Sequence, residues 1–152
     1  MNAVLQPPST LRAPLVSALI VNFIWINLSE VFRYFALIMP MMRDAFPMIP
    51  DVAPMNFAVF LIWGLWDTIL VATATIIPWL ALATFGGTVK TAVLAGTGVW
   101  IGVFGILWLG LFNMNLATPT IVLTALPLAW LEMTVAALVV WWFCNRPTAV
   151  TP

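Results

Sequence analysis

A chain of 152 residues that is 64% hydrophobic and only 7% charged lacks the polar side chains needed to cover a water-soluble domain. Its formal net charge is zero and its basic residues form neither a cluster nor a stripe, which sets nucleic acid aside as a partner. Cys144 is the only cysteine and histidine is absent, so an intrachain disulfide and the common zinc, haem and di-iron ligand sets are excluded, and any metal would be a hard cation held by oxygen.

At ~20 to 25 apolar residues per span, the chain has room for four helices, short connections and two small tails. The expected fold class is therefore all-α: an integral membrane four-helix bundle, one transmembrane domain over 1–152, with helices at about 14–40, 55–84, 89–113 and 119–144. After Pro7, Pro8 and Arg12, the first apolar run begins at Pro14. It is too long, and too charged at Glu30 and Arg33, for a cleaved secretory signal, and it reads as a retained helix. Pro40 and the polar Arg43-Asp44 are expected to end it. Pro47, Pro50 and Pro54 deny the next segment a helix interior, and its apolar residues place it folded on the outer surface of the bundle.

The second run extends from Asn56 to about Trp79 and carries Trp63, Trp66 and Asp67, with a kink or stop expected at Pro78. Phe85-Gly86-Gly87-Thr88 is a tight turn into a third run that has no charge between Thr91 and Phe112. That run is rich in glycine. Gly98 and Gly102 have the four-residue spacing that lets helix backbones approach closely in lipid, and they are expected to form a packing face. Asn113 to Thr118 makes the next turn, Pro119 suits the first turn of the fourth helix, and that helix contains Pro127 and Glu132 and gives way to Cys144-Asn-Arg146. With an even number of crossings, Arg12, Lys90 and Arg146 fall on one side and Arg43 on the other. The positive-inside rule then puts both termini in the cytoplasm, and a bacterial inner membrane is the expected location.

Candidate function lies in the polar residues of these runs. Ionisable side chains in a span are rare and usually face other protein. Glu30 and Arg33 each cost up to ~3 kcal/mol at a helix centre, against ~0.3 to 0.6 kcal/mol returned by each apolar residue, so the first helix is near break-even alone and needs partners. Three residues apart, the two side chains can bridge on one helix face, with Asn27 a turn back and Tyr34 beside them. Asp67 and Glu132 fall within a turn of the midpoints of their own runs. Glu30, Arg33, Asp67 and Glu132 are therefore expected to converge, with Asn27 and Tyr34, on a proton, ion or ligand site. Three acids facing one guanidinium carry a formal charge of minus two, so at least one acid should be protonated at neutral pH or neutralised by a bound cation. Trp25, Trp66, Trp100 and Trp130 fall near the same level, and their indole N–H groups are expected to find the carboxylates as acceptors.

No nucleophile triad, phosphate loop or dinucleotide fingerprint is present. Three readings stay open, and none names a cofactor: a small transporter or channel for a proton or cation, functioning as a homo-oligomer; an accessory or assembly subunit of a larger membrane complex; and a carboxylate enzyme acting on a lipid-like ligand. Four helices with a glutamate in the first resemble the layout of the small multidrug resistance transporters. The likeness stops there, because this chain is longer, places Arg33 one turn from Glu30 and has none of that family's local motifs.

Overall fold

In a computed structural model, residues 8–146 are described, with side chains from Pro14 onward, so the Arg12 side chain used in the topology count lies outside the described residues. Regular structure among the described residues is helical throughout, and four helices are long and apolar enough to cross a membrane. We number them α1 (Pro8–Arg33, a π-helical turn Tyr34–Ile38, then Met39–Ala45), α2 (Phe57–Phe85), α3 (Val89–Trp100, a π-helical turn Ile101–Gly105, then Ile106–Asn113) and α4 (Pro119–Cys144).

Local chemistry fixes most helix ends. Asn56, Thr88 and Thr118 each accept a hydrogen bond from the backbone N–H three residues on, and Pro119 occupies the first turn of α4, where its missing donor costs nothing. Gly86 ends α2 with φ of 102°, a conformation that side chains with a Cβ rarely adopt. Asn115, with φ of 57°, ends α3. Leu116 N–H reaches Leu111 O at 2.8 Å and Asn115 N–H reaches Phe112 O at 3.1 Å, the paired bonds of a left-handed helix cap.

Neither Pro40 nor Pro78 stops its helix. Pro40 does not end α1, which continues to Ala45. A proline ring collides with the carbonyl four residues earlier in an α-helix and leaves it without a donor. Here the preceding turn is widened, with Met39 N–H bonded to Tyr34 O, so the ring is accommodated. Pro78 likewise sits inside α2, fully buried, and the helix runs on to Phe85. The connection after α1 turns Phe46 in against the core, while Met48 is 91% exposed, so this segment is only partly an outer covering.

α4 is the central helix and packs against all three others. Ala125, Ala129, Ala136 and Ala137 are fully buried along it, and small side chains of this kind permit close approach where lipid supplies no hydrophobic drive. Its tightest neighbour is α3 at Gly96, where a Cβ would stand 2.7 Å from Met133 O and 3.1 Å from Ala137 Cβ. Gly98 and Gly102 do not make this contact: both face away from the bundle with open space around them, because two positions along a helix turn roughly 200° from Gly96.

Candidate functional site

Arg33 is the hub. It stands at the last α-helical position before the π turn of α1, 7% exposed, with its guanidinium carbon 4.7 Å from the centre of the Phe104 ring. Phe104 belongs to the π turn of α3, and Arg33 directly precedes the π turn of α1. Such turns collect at functional sites because the extra residue re-aims side chains without ending the helix. Arg33 Nη2 pairs with Glu30 Oε1 on the same helix face and lies 3.9 Å from Glu132 Oε2 of α4. Ser29 Oγ donates to that same Glu132 oxygen at 2.9 Å. Asp67 of α2 stands within electrostatic reach of Glu30 and Arg33, and Glu132 within reach of Asp67.

Glu30, Arg33, Asp67 and Glu132 are all buried, at 6%, 7%, 7% and 1% exposure, and they gather from three helices. The cluster is incompletely satisfied. Glu132 Oε1, Asp67 Oδ1 and Arg33 Nη1 are buried without a hydrogen-bond partner among the described residues, an arrangement that is costly unless the group binds or exchanges something. Among those residues, no three His, Cys, Asp or Glu side chains are grouped to hold a metal ion.

The other expected site residues divide. Tyr34 lies beside the cluster, packed edge-on against Trp63 with ring centres 4.4 Å apart. Asn27 does not join; its Nδ2 donates to Phe23 O of its own helix at 2.8 Å. Asn22 takes the interior position instead, fully buried and donating to Thr75 Oγ1 at 3.0 Å and Ala136 O at 3.2 Å, which ties α1 to α2 and α4. None of the three bridging indoles uses a carboxylate: Trp25 donates to Glu132 O at 3.1 Å, Trp100 to Leu126 O at 2.9 Å and Trp130 to Thr97 Oγ1 at 3.1 Å. Glu30 Oε1 and Glu132 Oε2 are engaged by nearer donors, Arg33 and Ser29, while helix carbonyls keep a second lone pair for a long side chain from the facing helix. Trp66 bridges nothing of this kind and stands 40% exposed at the mouth of a cavity.

Two cavities share Arg33. One, of about 440 Å³, opens between α1, α2 and the C-terminal half of α3 and is lined by Glu30 and Arg33. The other, of about 320 Å³, lies between α1 and α4 beside Ser29, Arg33 and Glu132. The ion pairs of Arg33 thus form the partition between a crevice on one side of α1 and a crevice on the other. Comparison of the chain with protein-family models, with curated proteins and with solved structures gave no match.

Proposed function

We propose that this is a small polytopic protein of a bacterial inner membrane, a single transmembrane domain with both termini cytoplasmic, that moves protons through its buried carboxylates. One observation carries the reading: Glu30 and Glu132, from α1 and α4, flank a single guanidinium, Asp67 of α2 lies within electrostatic reach of it, and among the described residues Glu132 and Asp67 each keep a buried oxygen without a partner. A proton needs one carboxylate at a time, whereas a chelated cation needs several oxygens directed at one point, so these scattered carboxylates suit protons better. Arg33, facing both cavities, holds Glu30 and Glu132 in place and would exchange between them as either gains or loses a proton.

The test is dye-reported proton uptake into proteoliposomes under an imposed potential. Glu132→Gln and Asp67→Asn, which keep shape and remove ionisation, should bring uptake down to that of protein-free vesicles. Uptake in both variants equal to the unaltered protein would overturn the reading. A second reading, an accessory subunit of a larger membrane complex, is favoured by Gly98 and Gly102, which turn a surface permitting close approach away from the bundle. Purification in mild detergent with a second chain in fixed ratio, and no proton uptake by the isolated protein, would decide for it.

A further inference from the structure

We propose that Ser29 is a positioning residue for Glu132: its hydroxyl occupies Oε2, favours the ionised carboxylate, and leaves Oε1 as the atom that takes and gives up the proton. This deepens the proton reading above and rests on Glu132 being one of its carriers. Helix hydroxyls in this bundle have a habitual partner. Thr68, Thr73, Thr75 and Thr124 each donate to the backbone carbonyl four residues earlier, at 2.7 to 2.9 Å. Ser29 breaks the pattern and donates across to Glu132 Oε2 of α4 at 2.9 Å. A hydroxyl has one hydrogen, so Ser29 gives up the carbonyl of Trp25 to make this bond.

A neutral carboxyl offers a hydroxyl little that a helix carbonyl does not, whereas an ionised one makes a bond roughly twice as strong. The crossing therefore selects the charged form of Glu132. Arg33 Nη2, 3.9 Å from the same Oε2, places positive charge at that oxygen as well. Oε1 is buried and has no partner among the described residues, so its lone pairs are open to a proton. The incoming proton forms its O–H bond at Oε1 while Ser29 keeps its own hydrogen, and no proton passes through the serine. The other charges about Glu132 are Glu30 on α1 and Asp67 on α2; α3 carries no ionisable residue between Thr91 and Phe112. Packing does not demand the hydroxyl. Ser29 is half-buried and lines the cavity of about 320 Å³ between α1 and α4.

The full chain in lipid nanodiscs would be titrated by infrared difference spectroscopy, following the part of the protonated-carboxyl band that Glu132→Gln removes. Ser29→Ala should move the midpoint of that band up by about one pH unit, a tenfold change in proton concentration and the worth of a hydrogen bond to a charged group. Ser29→Cys, close to serine in shape but a weak donor, should match Ser29→Ala, whereas a packing role would make it match serine; it also serves if the alanine variant does not fold. Ser29→Thr, which keeps the hydroxyl, should restore the unaltered midpoint. The pH profile of dye-reported proton uptake should move with the band. If Glu132→Gln leaves uptake intact, the proton reading fails and the band alone decides on Ser29. A midpoint unmoved in both the alanine and the cysteine variants, or the lack of any band that depends on Glu132, would overturn the proposal.

Discussion

At the scale of single residues, Arg33 decides whether the centre of the bundle is tolerable. Among the described residues it is the one cation paired with Glu30 and within reach of Asp67 and Glu132, and a buried charge stripped of its partner is far worse than a pair removed together. Arg33→Met should therefore destabilise the protein by ~3 to 5 kcal/mol, measured by reversible unfolding in mixed micelles, and adding Glu30→Gln should recover part of the loss. An additive double mutant would mean that the pair is solvated and unimportant. The four charged residues were legible in the sequence because ionisable groups stand out in an apolar run and have few places to go. The two asparagines were not, although simple rotation separates them: Asn22, Ser29 and Arg33 fall on one face at intervals of seven and four, while Asn27 is turned roughly 140° from Asn22. The indole acceptors were illegible for another reason, since any facing carbonyl can accept and only the packed bundle says which one is near.

At the scale of the helices, the contact that fixes the bundle is Gly96 against Met133 and Ala137. Adding a methyl group there puts it against a backbone carbonyl, which cannot rotate away, so Gly96→Ala should cost ~1 to 3 kcal/mol by overpacking. Gly98→Ala and Gly102→Ala meet open space and should leave the isolated protein's thermal midpoint unchanged. Loss of stability at Gly98 rather than Gly96 would reverse this assignment of faces. The four-residue glycine spacing marks the side of α3 that is turned away from the bundle. The informative pattern pairs alanine with glycine, Ala92 with Gly96, both buried on the side of α3 that meets Ala137 of α4. Neither π turn leaves a mark in the sequence that periodicity can detect: five residues with one extra per turn are too short to disturb an apolar pattern already hydrophobic on all sides. Yet Arg33 directly precedes one turn and Phe104 lies in the other, so the least legible elements border the candidate site.

At the scale of the whole molecule, hydropathy alone separated four spans, because each is an unbroken apolar stretch between turn-forming residues, but it could not show that a cavity lies between α2 and the C-terminal half of α3. Sidedness depends on few charges. Lys90 sits beside the turn between α2 and α3, and Arg146 folds back over the Trp142 ring at 3.1 Å, as an interfacial cation at the end of a span would. Arg43 alone marks the opposite end. The lone cysteine offers a direct reading, since Cys144 is exposed at the last helical position of α4. A membrane-impermeant maleimide should leave Cys144 unmodified in intact spheroplasts and label it once the membrane is opened. Met48→Cys, introduced into a Cys144→Ser background at a position 91% exposed in the connection after α1, should give the reverse pattern. Labelling of Cys144 without permeabilisation would turn the protein over. The Arg33 partition and both crevices would stay as they are, but the cavity beneath Ala53 and Met42 would then lie toward the cytoplasmic end of the bundle.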